Sequence, residues 1–84
     1  MNLRKHLQNH QITPTAQRLA IASVVLSTDL HPSAGEVFSA VNDAHPRVSK
    51  ATVYNTLNLF VERGLCRALT LREGRVVYGP NMTP

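Results

Sequence analysis

The chain has 84 residues, with nine Lys plus Arg against five Asp plus Glu and a formal net charge of +4. That length makes one domain, able to bury a working core without metal or disulfide support, and leaves no room for a second. The single cysteine, Cys66, excludes an internal disulfide and a cysteine-based zinc site within one chain, and it suits a reducing cytoplasmic compartment. Met1 to Lys5 lead into polar sequence and not into an apolar signal core, and no apolar run reaches membrane-spanning length. The expectation is a cytoplasmic protein with no membrane partner, and the excess of positive charge favours a polyanion.

Residues 1–12 read as an N-terminal arm or short, fraying helix, with Leu3 and Leu7 at i and i+4 and positive charge from Arg4 and Lys5. His6 and His10 share the spacing that two imidazoles need to hold a metal on one helix face, but no third ligand stands near, and solvated histidines are the plainer reading. A helical core is expected over 13–64. Thr13-Pro14-Thr15 is a helix entry, since either Thr can cap and Pro suits the first turn, where its missing N–H goes unused. That helix runs to about Ser27, with Leu19, Ala22 and Leu26 on one face and Ile21 and Val25 beside them. Arg18 interrupts this apolar arc, either by snorkelling or by reaching a phosphate.

Ser33-Ala34-Gly35-Glu36 is a capping box, preceded by Pro32. It opens a helix with Val37, Ala40, Val41 and Ala44 on one face and Phe38 beside them, and Pro46 stops that helix near His45. The brief link to Ser49 forces the next helix to cross closely, as in a helix-turn-helix. Over 49–63 a recognition helix is expected, with Ser49 as N-cap and Gly64 free to turn left-handed past its end. Val53, Leu57, Phe60 and Val61 form its core-facing stripe. Asn55 lies almost opposite that stripe, near Ala51, Thr52, Asn58 and Glu62, with Lys50 and Tyr54 toward the edges. Such a face suits a base-pair edge, because Asn offers donor and acceptor together to adenine while Ala or Thr can touch a thymine methyl.

Residues 65–78 hold two β-rich runs around Arg72-Glu73-Gly74-Arg75 and read as a hairpin wing with a basic tip. Arg67 falls on the same side as Leu65 and Leu69, so the alternation is imperfect; a hairpin alone is marginal, and this one must lean on the helices. Residues 79–84 read as a linker or frayed tail. The fold class expected is α+β, a winged helix-turn-helix of three to four helices followed by a two-stranded hairpin. An enzyme finds no support: no nucleophile has a nearby base, no glycine-rich loop is present, and Asp29, Glu36, Asp43, Glu62 and Glu73 are scattered.

Thr15-Ala16-Gln17-Arg18, His31-Pro32-Ser33-Ala34, Ala51-Thr52-Val53-Tyr54-Asn55 and Gly64-Leu65 resemble the N-terminal winged-helix domain of ferric uptake regulator type repressors. The resemblance runs from about Leu7 to Tyr78, and the Tyr54-Asn55 pair is similar to that of the peroxide regulator branch. It implies a sequence-specific transcriptional repressor, metal- or peroxide-responsive in its full-length form, that binds palindromic double-stranded operator DNA as a homodimer with the recognition helix in the major groove. Carried over, Tyr54 and Asn55 become base and methyl contacts, Lys50, Thr52 and Arg18 phosphate contacts, and Arg72 and Arg75 backbone contacts. The resemblance implies Fe, Mn or Zn in a full-length relative and no cofactor for this chain alone.

Three departures stand against the family pattern. Thr13 takes the place of a basic residue that relatives use in the minor groove. His31 matches a histidine of the regulatory metal site, but its acidic partner falls at or near Gly79. Relatives also continue past the position of Pro84 into a His- and Cys-rich dimerisation and metal-sensing domain, so an excised DNA-binding domain and a reduced protein that dimerises another way both stay open. The alternative function is a winged-helix protein-interaction module without DNA binding; Lys50 and Arg18 favour DNA, while Glu62 and Asn58 count against it.

Overall fold

Every helix among the described residues begins on a side chain that takes up a backbone N–H which the first turn leaves unpaired. The computed structural model describes residues 2–27 and 30–81. In it Asn2 caps α1 (Leu3–Asn9), Thr15 caps α2 (Ala16–Leu26), Ser33 caps α3 (Ala34–Ala44) and Ser49 caps α4 (Lys50–Glu62). At Ser33 the box is complete, with the Ser33 amide donating to Glu36 Oε1 at 2.9 Å and the Glu36 amide to Ser33 Oγ at 3.2 Å.

Two helices end in the same closure. Past α4, Gly64 sits at φ +77, its N–H donates to the Val61 carbonyl, and the Leu65 N–H donates to that of Phe60. Past α1, Gln11 takes φ +58, its N–H donates to the Gln8 carbonyl, and the Ile12 N–H donates to that of Leu7. Of the two readings of residues 1–12, arm or short helix, the structure has the helix, and this second closure adds what the sequence did not suggest: it drives Ile12 inward, and both Ile12 and Leu7 belong to the core. The Arg63 guanidinium donates to the Gln11 carbonyl and ties this turn to the end of α4.

Core burial also departs from the expected stripes. On α4, Val61 is 37% exposed and Thr56 is buried beside Val53, Leu57 and Phe60. Positions 53, 56, 57 and 60 keep strict helical periodicity, and Thr56 is carried inside by position in spite of its hydroxyl. On α2 the deepest residues are Ile21, Ala22 and Val25, while Leu19 and Leu26 pack at the margin.

The hairpin joins β1 (Cys66–Thr70) to β2 (Val76–Pro80), antiparallel, with Cys66 opposite Pro80 and Thr70 opposite Val76. Its strand therefore runs two residues beyond the expected wing, and Gly79 and Pro80 are not tail. Pro80 is tolerated at the strand end because no ladder bond is asked of its nitrogen. The Asn81 side chain then closes the hairpin base by donating to the Gly64 carbonyl at 3.0 Å. The rest of the expected tail, 82–84, and Asp29 among the scattered acids lie outside the described residues. At the tip, Gly74 (φ +87) closes the turn with its N–H on the Leu71 carbonyl. The wing leans on the helices through its second strand: Ser33 bridges Val77, and the Tyr78 N–H donates to the Pro32 carbonyl at 2.9 Å. The result is the winged helix-turn-helix.

Candidate nucleic-acid interface

The start of α4 is built by its cap. Ser49 Oγ accepts from the Thr52 amide at 3.0 Å and donates to Thr52 Oγ1 at 2.9 Å, so the Thr52 hydroxyl keeps its own proton to give outward. Ala51, Tyr54, Asn55, Asn58 and Glu62 are exposed and Thr52 is half-buried, as the wheel demands with the 53/56/57/60 stripe turned inward. Lys50 leans toward α3, its Nζ 5.7 Å from the centroid of the Phe38 ring, which holds the ammonium at the rim of this face.

Tyr54 meets the wing. An open cleft of about 380 Å³ is lined by Ser33, Ala34 and Gly35 from the start of α3, Tyr54 from α4, and Arg75, Val76 and Tyr78 from the wing. The basic wing and the polar face of α4 therefore border one surface. Arg75 pairs with Glu73 at 3.2 Å, but both side chains are more than half exposed, and an ion pair of that kind is worth little against a phosphate. Arg72 is exposed at the tip. Burial, and then the neighbouring Tyr54 and Cys66, push the Tyr78 phenol up from its usual range, so it stays a neutral hydroxyl at the cleft.

Arg18 lies half-buried on α2 and donates from Nη1 to the Thr13 carbonyl at 2.9 Å. That bond settles it against the turn before α2 and uses one of its five N–H groups. Sequence reasoning passed over Arg47. It is exposed in the turn before Ser49 and borders a second open cleft, of about 460 Å³, with Ala16 and Gln17 at the start of α2. The signal was available, since a cation in the turn of a helix-turn-helix stands beside whatever the second helix reads.

His31 borders another cleft, which it shares with Glu36 and Arg75. Its imidazole rests against Gly79, its Nδ1 is buried with no hydrogen-bond partner among the described residues, and its backbone sits at φ +50. Among the described residues no group of three or more His, Cys, Asp or Glu could hold a metal ion. Glu36, which borders the cleft beside His31, is committed to the Ser33 amide, and that bond holds its carboxyl below the usual range. The residues present therefore do not fit a metal at His31. Nor do His6 and His10 make a site: their rings meet edge to face, centroids 4.9 Å apart, and His10 Nδ1 is hydrogen-bonded to the His6 carbonyl.

Residues 9–83 match the family described as the ferric uptake regulator family. The chain belongs to that family. A peroxide-responsive repressor, PerR, of Staphylococcus aureus is 38% identical over 64 residues, which is 76% of this chain and 43% of the relative. Among solved structures, a zinc-bound manganese uptake regulator superposes with a TM-score of 0.88 at 26% identity, covering 100% of this chain and 62% of that one. PerR from Streptococcus pyogenes, a protein of peroxide sensing and gene regulation, superposes with a TM-score of 0.81 at 31% identity, covering 94% of this chain and 54% of its own. The chain thus spans less than half the length of the S. aureus relative. Family members are transcriptional regulators, and the winged helix seen here is their DNA-binding fold. No helix among the described residues is long and apolar enough to cross a membrane.

Proposed function

We propose that this domain reads operator DNA for a cytoplasmic transcriptional repressor, with α4 in the major groove and the wing on the adjoining backbone. The observation that carries the reading is the cleft shared by Tyr54 and Arg75, which sets the uncharged, hydrogen-bonding face of α4 beside a basic wing tip. Tyr54, Asn55 and Ala51 supply the base and methyl contacts, and Lys50, Thr52 and Arg18 engage phosphates flanking α4. Arg72 and Arg75 contact the backbone from the wing, and Arg47 joins them from the turn. Phosphate contacts supply most of the affinity and the Tyr54–Asn55 edge supplies discrimination. A palindromic operator and a homodimer follow from the family resemblance, with dimerisation in the portion of the relatives that this chain does not span. The response to metal or peroxide, with Fe, Mn or Zn as the ion, belongs to that portion as well.

The test is a titration of a palindromic operator and a scrambled duplex across a salt series, with wild type and Arg72→Ala. A lone module of this size is expected to bind at about micromolar Kd or weaker at physiological salt. Arg72→Ala should weaken both duplexes alike and lower the slope of log K against log salt by about 0.9. Binding that ignores salt and sits at background for both duplexes would sink the reading and favour a protein-docking module.

A further inference from the structure

Across the bridge between Ser33 and Val77 and the bond from the Tyr78 N–H to the Pro32 carbonyl, the antiparallel register sets His31 opposite Gly79. His31 holds a left-handed φ of +50, which a residue with a side chain keeps only where its surroundings fix it. The imidazole lies so close over Gly79 that a methyl added there would stand 2.8 Å from Cε1 and closer still to Nδ1. Real side chains essentially never approach so closely. The orphaned Nδ1 is the second unusual feature of the same contact: a buried polar atom without a partner points to a role that offsets its desolvation.

We infer that His31 positions the wing: its ring fills the space that any side chain at 79 would need, so packing, and not a divalent ion, sets the angle of β2. With the ring seated here, a side chain at 79 would force the imidazole to move. A metal ligated jointly by His31 and position 79 is therefore replaced in this chain by a ring seated on a glycine. β2 is held at its far end by this contact, in its middle by Pro32 and Ser33, and at its near end it carries the turn with Arg72 and Arg75. Loss of the seat swings the basic tip away from α4. The DNA readouts below rest on the operator-reading proposal; the unfolding and metal readouts do not.

The experiment uses the whole chain in four variants: Gly79→Ala, His31→Ala, the double variant, and His31→Phe. Gly79→Ala should bind operator and scrambled DNA about tenfold more weakly and unfold at lower temperature. The double variant should recover to within about threefold of wild type, because the methyl enters space that the ring has left. His31→Phe keeps a flat ring over Gly79 but cannot ligate a metal, and should retain wild-type salt slope and affinity, whereas His31→Ala loses part of the slope. Titration of wild type with Mn²⁺ or Zn²⁺ chloride should leave its unfolding temperature and operator affinity unchanged.

A double variant no better than Gly79→Ala, a His31→Phe variant as poor as His31→Ala, or a Mn²⁺-dependent gain that His31→Ala abolishes would each overturn the inference. If Gly79→Ala does not fold, a folded double variant is the same rescue and an unfolded one refutes it. Should wild type bind neither duplex, the rescue is read in unfolding temperature alone, so a failure of DNA binding is told apart from a failure of the seat.

Discussion

Asn55→Ala isolates base reading from everything else this fold does. Asn55 is exposed on α4 and Val53, Leu57 and Phe60 face the other way, so the substitution removes no core contact. Ala is the better helix former by several tenths of a kcal/mol, so the fold should be unchanged or slightly more stable. What is lost is one bidentate side chain to a base edge, worth about 1–3 kcal/mol per half-site, or roughly 5- to 150-fold in operator affinity. Because no phosphate contact is touched, the salt slope and the affinity for scrambled DNA should match those of wild type. Fluorescence anisotropy with a labelled operator and an unlabelled scrambled competitor, repeated at several salt concentrations, measures both quantities. If operator preference survives Asn55→Ala, or if both duplexes lose affinity in parallel, the face of α4 described above does not read bases.

Four further expectations concern the scaffold. Gly64→Ala places a Cβ at φ +77 with only the Asn81 Nδ2 near it, 3.8 Å away, so its effect is conformational; about 1–2 kcal/mol should be lost, and each kcal/mol lowers Tm by about 4–8 °C. Gly35→Ala, inside α3 with only Ser33 Oγ at 4.0 Å, should have the opposite sign and raise stability by about 0.5–1 kcal/mol. The Glu36 carboxyl is lowered from 4.5 first by the Ser33 amide, so its contribution is complete above that value and disappears as pH falls through the lower folded one. A Glu36→Gln comparison by denaturant titration should accordingly show a stability gap at pH 7 that closes under acid; a gap independent of pH would refute the capping assignment. Burial pushes the Cys66 thiol up from 9.0 to about 12, so stability should fall as pH rises from 9 toward 12, where only the unfolded chain holds a thiolate. Below pH 9, alkylation of Cys66 should proceed only as fast as the domain opens, and rapid labelling of folded protein would contradict its placement.

The legible parts of the sequence were those whose physics acts within a few residues. Thr15, Ser33, Ser49 and Gly64 each satisfy backbone groups no more than four positions away, and each starts or stops a helix where expected. The polar face of α4 followed from the same local periodicity. Gln11 was missed because it takes the left-handed turn that composition assigns to glycine, and Ile12 was left outside the core with it. Thr56 and Val61 exchanged places because the reading weighted residue type over angle around the helix. The pairing of 31–33 with 77–79 joins segments more than forty positions apart and leaves no local trace, so the strand at Gly79 and Pro80 read as tail. Without that pairing, the meeting of Tyr54 and Arg75 at one cleft was an expectation of the fold class and not of the residues.

The Ser33–Val77 bridge and the Tyr78 bond to Pro32 also cover part of the outer side of β2, and leave β1 as the open rim of this two-stranded sheet. Open rims invite other chains to add on and seed aggregates. This one is five residues long and carries a guanidinium at its second position, Arg67. Two molecules trying to zip along β1 would bring like charges together over a short span, so the domain should tolerate crowding at high concentration without forming fibres.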